Sequence, residues 1–186
     1  MEKQHICPWQ GGSLLAASVR KVLHNPKNIL RSYLSDGMTA ADIGCGMGYF
    51  TLPMACIVGN NGKVIAVDLQ PEMLDGLKRK TDKNGITNII PHQCKTDTLA
   101  LDEWAGKIDF VVVFWMLHEV PDSERLIREV YAALSDRGKL LFVEPKGHVN
   151  ARDFNKSLEI ISSFGFTKTA SPKIGFSRAA LFEKTV

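Results

Sequence analysis

The feature that most constrains this chain of 186 residues is an alternation of short, β-rich apolar runs with amphipathic stretches. The pattern predicts strands at Thr39–Ile43, Lys63–Val67, Asn88–Cys94, Ile108–Phe114 and Lys139–Glu144. These runs are nearly continuous in apolar residues, Phe110–Trp115 above all, as strands covered on both faces require. The stretches between them carry helix ends. Tyr49–Val58 has Pro53 near its first turn and stops at Gly59–Asn60–Asn61–Gly62. Pro71–Lys83 opens on a proline and closes at Asn84–Gly85. Asp122 or Ser123 can cap a helix running to Leu134, with Gly138 just beyond it, and Asn150 can cap another ending near Gly165. Strand, helix and strand in repetition predict a parallel sheet with right-handed crossovers. The tail departs from that rhythm. Phe166–Ala170 and Ser177–Glu183 are joined by Ser171–Gly175, too short for a crossover helix, so this pair must be antiparallel. Ahead of the first strand, Leu14–Val22 and Pro26–Leu34 are expected to be helices covering one end of the sheet.

Composition excludes several classes. The net charge of +3 is too small to argue for nucleic acid or an anionic membrane surface. No apolar run approaches the roughly 20 residues a membrane span needs, and Arg20–Lys21 interrupts the only apolar stretch near the N-terminus. Cys7, Cys45, Cys56 and Cys94 show no metal-ligand spacing, so no metal is expected. Free thiols at this density suit a reducing compartment, and a cytoplasmic location is expected. With no linker or internal repeat, one domain is expected over 1–186, made of an N-terminal helical cap (1–36) and a core (37–186).

In an open parallel sheet, ligands bind beyond the carboxyl ends of the strands. Asp42-Ile43-Gly44-Cys45-Gly46-Met47-Gly48 lies where the first predicted strand turns into the first helix. Glycines there let backbone approach a ligand; alone they also suit a plain tight turn. The second strand ends at Asp68, 20 residues past Gly48, where a carboxylate can accept hydrogen bonds from both hydroxyls of a ribose. An adenosine-containing ligand follows from the two features together. The glycine spacing is G-x-G-x-G rather than G-x-G-x-x-G, and Asp42 precedes it directly. An acidic group beside the loop opposes a pyrophosphate and suits an ammonium or sulfonium, and S-adenosylmethionine carries both.

These segments, with Asp109-Phe110-Val111-Val112-Val113-Phe114 and Leu134-Ser135-Asp136-Arg137-Gly138-Lys139-Leu140-Leu141, resemble the class I S-adenosylmethionine-dependent methyltransferase family. The resemblance runs from about Met38 to Phe182. It is strongest toward small-molecule methyltransferases, the quinone-biosynthesis type included, which Phe114-Trp115-Met116-Leu117-His118-Glu119-Val120 echoes. It implies a doubly wound, Rossmann-like α/β fold with a seven-stranded mixed sheet and a C-terminal antiparallel hairpin. It also implies transfer of a methyl group from S-adenosyl-L-methionine to a small-molecule acceptor. Carried over residue by residue, Asp42 and Gly44 would face the methionine amino group, Cys45 and Gly46 would border the ligand, and Asp68 would hold the ribose. Leu69 would pack on the adenine, with Met73 either beside it or in the core. Phe114 would offer a backbone carbonyl. Lys95 stands where the family usually places an acid, so Thr96 backbone or Asp97 would have to meet the adenine amino group.

Methyl transfer is an in-line displacement that mostly needs a positioned nucleophile, plus a base where that nucleophile starts protonated. Acceptor-facing residues are expected on the loops after the fourth and fifth strands: Trp115, His118, Glu119, Glu144, Lys146 and His148. His118, His148 and Glu144 are the candidates for catalysis, each with a plain turn or loop role as its alternative. Cys7-Pro8-Trp9-Gln10-Gly11-Gly12 reads either as a lid or as a loosely packed terminus, and Lys78-Arg79-Lys80 as a solvated helix face. Two alternative functions stay open: a non-catalytic S-adenosylmethionine-binding module that regulates a partner, and an NAD-dependent oxidoreductase. A homodimer is compatible with the sequence, which names neither the acceptor nor the oligomeric state.

Overall fold

The computed structural model describes residues 24–185. Seven strands among them form one sheet: β1 (Thr39–Ile43), β2 (Lys63–Asp68), β3 (Ile89–Gln93), β4 (Ile108–Phe114), β5 (Leu134–Pro145), β6 (Phe166–Ala170) and β7 (Ser177–Lys184). Their order is β3-β2-β1-β4-β5-β7-β6. The first five pair in parallel, and β7 runs antiparallel to both β5 and β6. The order therefore reverses between β1 and β4, the place where an open α/β sheet splays its loops apart and leaves a crevice.

The helices are α1 (Pro26–Leu30), α2 (Thr51–Val58), α3 (Pro71–Asn84), α4 (Ser123–Ala133) and α5 (Ala151–Ser163). Two-residue alternation along the strands decides which side each helix covers. Ala40, Val64, Phe110, Val112, Leu141 and Val143 point toward Leu30, Met54 and Val58 of α1 and α2. Ala41, Ile65, Val111, Val113, Leu140 and Phe142 point the other way, onto Ile127 and Val130 of α4 and Phe154 and Ile161 of α5. Ala66 meets Leu74 and Leu77 of α3. Covered on both faces, β4 is buried at every position but Asp109. The edge strand β3 is not, and Pro91 within it suits an edge because proline cannot donate to a further strand.

Capping residues act as the sequence implies at three places. The Asp122 and Asn150 side chains accept from the Arg125 and Asp153 amides at the starts of α4 and α5. Gly85 closes α3 in the left-handed conformation. Elsewhere the structure corrects the sequence reading. The helix expected over Pro26–Leu34 is the five-residue α1, followed by a turn in which the Tyr33 amide bonds to Leu30. The helix expected over Leu14–Val22 and the segment Cys7–Gly12 lie outside the described residues. Between β3 and β4 there is only a 3₁₀ turn, Asp102–Trp104. Gly138 does not cap α4. That helix ends as Leu134 turns extended and pairs with Ile108, so β5 starts five residues before the expected Lys139. The positive φ of Arg137 (62°) marks the irregularity by which the strand regains register at Lys139 opposite Phe110.

Candidate functional site

Above the carboxyl ends of the parallel strands opens a cavity of about 710 Å³, within the roughly 300–1,000 Å³ typical of small-molecule sites. Its first wall is the turn after β1. Gly44 has φ 74°, and a Cβ there would come within 3.1 Å of Met116, so glycine meets both the backbone and the spatial demand. The Gly44 and Cys45 amides donate to the Val67 carbonyl, which closes the loop over the end of β2.

Asp68, the last residue of β2, is 8 % exposed and lines the cavity. Its Oδ2 accepts the Gly46 amide at 2.8 Å and its Oδ1 the Gln70 amide at 2.9 Å. A carboxylate offers about four acceptor sites, so each oxygen keeps capacity for one more donor. Asp42 sits lower. It is buried and accepts the Thr51 hydroxyl at 2.6 Å, so its charge lies beneath the loop rather than in the cavity wall.

Of the residues singled out for a cofactor, Gly44, Asp68, Leu69, Lys95, Thr96 and Phe114 border the cavity. Asp42, Cys45, Gly46 and Met73 do not. Cys45 is buried against α3, Gly46 supplies its amide to Asp68, and Met73 is half-buried on α3. Burial pushes the Cys94 thiol up to about 11 and the Cys45 thiol higher still, so both stay protonated near neutrality and neither is an activated nucleophile.

The opposite wall comes from the ends of β4, β5 and β7. Trp115, with φ 59°, follows β4 directly, and its indole N–H donates to the Ser177 hydroxyl at 3.0 Å. The 3₁₀ turn Leu117–Glu119 then carries His118 to the cavity. Glu144 of β5 does not reach the cavity. It is 1 % exposed and bonds to His118 twice: Oε1 accepts the backbone amide at 3.1 Å, and Oε2 lies 2.6 Å from Nδ1. Burial raises the Glu144 carboxyl above its ordinary value, and the contacts with His118 oppose that rise. His148, on the loop after β5, meets the His118 ring edge-on at 5.8 Å. Trp115 and Glu119 also border the cavity; Lys146 does not.

Several wall residues had no signal in the sequence. Glu129 reaches out of α4 to hold the loop after β3, accepting the Thr98 hydroxyl at 3.0 Å and the Leu99 amide at 2.6 Å. Phe176, at the tip between β6 and β7, is 69 % exposed with φ 51° and stands at the rim. A left-handed non-glycine residue is visible only in coordinates. Among the described residues no group of three or more His, Cys, Asp or Glu could hold a metal ion. No described helix is long and apolar enough to cross a membrane.

Comparison with known proteins sets this geometry in a family. The chain is 30 % identical over 114 residues to a demethylmenaquinone methyltransferase of Lactobacillus johnsonii, a match covering 61 % of this chain and 46 % of that protein. It is 30 % identical over 114 residues to an arsenite methyltransferase of Aquipseudomonas alcaligenes, covering 59 % of this chain and 33 % of the other. Both matches thus span less than half of the relative's own length. A SAM-dependent methyltransferase from Aquifex aeolicus superimposes with a TM-score of 0.78 at 22 % identity, covering 88 % of this chain and 92 % of that one, and so shares its fold. The profile of the methyltransferase domain family matches residues 34–170. The chain belongs to that methyltransferase domain family.

Proposed function

We propose that this chain transfers a methyl group from S-adenosylmethionine to a small-molecule acceptor. Asp68 carries the reading: a carboxylate at the switch point, open to a nucleoside-sized cavity and locked by two backbone amides. Its spare acceptor capacity suits the two hydroxyls of a ribose, and the apolar residues Leu69, Leu99 and Phe114 that line the same cavity suit an adenine. Gly44 would lie along the methionine end, with Gly46 fixing Asp68 behind it and Asp42 beneath the loop supplying negative potential toward a sulfonium and an ammonium. Lys95 and Thr96 would border the adenine edge, with backbone groups and Asp97 in place of the acid the family usually has there. When bound, S-adenosylmethionine supplies an activated methyl carbon, and what the chain must add is position.

A small acceptor is favoured because the remaining wall, Trp115, His118, His148 and Phe176, encloses a space rather than a flat or basic surface. The named relatives act on a quinone precursor and on arsenite, both small molecules. A cytoplasmic setting goes with this reading.

Isothermal titration with S-adenosylhomocysteine and NAD in parallel tests the cofactor. Binding of the first and not the second is expected, and the reverse would assign an oxidoreductase. Asp68→Ala should weaken S-adenosylhomocysteine by about 1.5–3 kcal/mol, about 10- to 150-fold, through loss of charged hydrogen bonds. Unchanged affinity in a variant whose melting curve remains cooperative would refute the ribose assignment. Methyl-labelled cofactor incubated with metabolite extract should leave label in a small product; binding without any label transfer would favour a regulatory module.

A further inference from the structure

Beside the crevice, the loop between β6 and β7 and the start of α5 border a second cavity, an open groove of about 630 Å³. Lys146, Lys173 and Arg178 line it, and no acidic residue does. Among the described residues none of these three cations has an acidic partner, whereas Lys78, Arg125 and Lys156 each sit against a carboxylate. Arg178 is half-buried, and its Nε donates to the Val149 carbonyl at 3.3 Å. The acid opposite it in the β5–β7 ladder, Glu144, gives its oxygens to His118 instead. Like charges around one concavity, one of them partly withdrawn from water, cost free energy and focus a positive potential into the groove. An anion seated there relieves both.

Two features join the groove to the crevice. Phe176 borders both cavities. It keeps a left-handed φ of 51° at 69 % exposure, so backbone strain and exposed apolar area are both maintained at this one border position. The Lys146 amide donates to the Phe176 carbonyl at 3.0 Å, which sets Lys146 beside it. Ser177 is the second link: its hydroxyl accepts the indole N–H of Trp115 from the crevice wall and donates to the Gly175 carbonyl at 3.0 Å on the groove wall. We infer that the groove is an anchoring subsite for the methyl acceptor, which is therefore a small molecule bearing a carboxylate or phosphate. That oxyanion seats among Arg178, Lys146 and Lys173, and the uncharged remainder crosses the Phe176 ring into the crevice. This deepens the methyl-transfer reading and rests on it. Arg178 supplies a planar fork of donors to the oxyanion, and the two lysines add point charges. Ala151, the first residue of the 13-residue α5, also borders the groove, so the positive end of that helix acts in the same sense. An acceptor held by its charged end has its reacting atom confined near the crevice, and position is what methyl transfer requires.

Metabolite extract separated on an anion exchanger tests this with methyl-labelled S-adenosylmethionine. Label should enter a product of the retained, acidic fraction, and that product should itself be retained. Phosphatase treatment tells the two sources of charge apart, since it releases a phosphate-bearing product from the exchanger and leaves a carboxylate-bearing one in place. Label arising from the unretained fraction overturns the inference. Arg178→Gln should bind S-adenosylhomocysteine as the wild type does. Its rate at limiting acidic fraction should fall about 10- to 100-fold through loss of charged hydrogen bonds, with the rate at saturating fraction changed far less. Because Arg178 also braces Val149, a second variant carries Lys146→Ala together with Lys173→Ala, both exposed positions. It should melt as the wild type does and lose about 3- to 10-fold at limiting fraction, exposed charges contributing less. Added salt should bring the wild-type rate down toward that of this variant. Wild-type rates at limiting fraction in both variants overturn the groove as a subsite. Failure of the wild type to bind S-adenosylhomocysteine, or to label a product from any fraction, overturns the methyl-transfer reading itself, so the two failures are separable.

Discussion

The floor of the crevice at the ends of β1 and β2 is held by backbone amides, whereas the half above β4, β5 and β7 is held by side chains meeting one another. In the first, amides of Gly44, Cys45, Gly46 and Gln70 close on the Val67 carbonyl and the Asp68 carboxylate. In the second, Glu144 meets His118, Trp115 meets Ser177, and His118 meets His148. Backbone contacts tolerate almost any sequence around a few glycines. Side-chain contacts demand particular partners at particular places. If, as proposed, the first half recognises the cofactor and the second the acceptor, this division lets the second change without rebuilding the first.

The contrast can be broken most forcefully from beneath the second half. Phe142 lies two residues before Glu144, fully buried and stacked on Phe154 with centroids 5.4 Å apart. Phe142→Ala should cost about 3–5 kcal/mol in denaturant unfolding. Because both halves share one sheet, S-adenosylhomocysteine should still bind below the lowered midpoint. Selective loss of that binding would show that the halves are not separable.

A smaller effect reports on Glu144 alone. Its carboxyl is raised above the ordinary 4.5 by burial, so the unfolded chain releases this proton at lower pH than the native one does. Its contribution is therefore fully present below about pH 4.5 and is lost as pH rises through the higher native value. Glu144→Gln should flatten that part of the stability–pH curve, read by urea unfolding between pH 4 and 7, a range set on the order of the ordinary carboxyl value. An unchanged slope would place the carboxylate in a wetter site than the structure gives it. The smallest effect belongs to the outer face of the first half. Lys78 and Asp82 pair at 2.9 Å on α3, both more than 60 % exposed. Lys78→Ala should change stability by no more than about 0.5 kcal/mol. A larger loss would contradict the reading of Lys78-Arg79-Lys80 as a solvated face.

What could be read in advance divides along the same line. Strand positions and the reversed last pair were legible because they depend on apolar runs and on connection length, both local. The glycine turn and Asp68 were legible for the same reason, as a spacing between neighbours in sequence. Glu144 and His118 were each visible as candidates, but their pairing was not. It depends on β4 and β5 aligning so that Phe114 faces Val143. The early start of β5 escaped notice because Gly138 resembles a helix stop, and only the pairing of Leu134 with Ile108 reveals otherwise. Glu129 and Phe176 reach the cavity through tertiary geometry that no local pattern encodes.

The two amides on Asp68 have a kinetic corollary. A side chain already clamped on both oxygens has no rotamer left to choose when a diol arrives, so little freedom remains to be frozen at that contact. On the proposed reading of Asp68, exchange of spent nucleoside for fresh should accordingly need no rearrangement of the crevice floor.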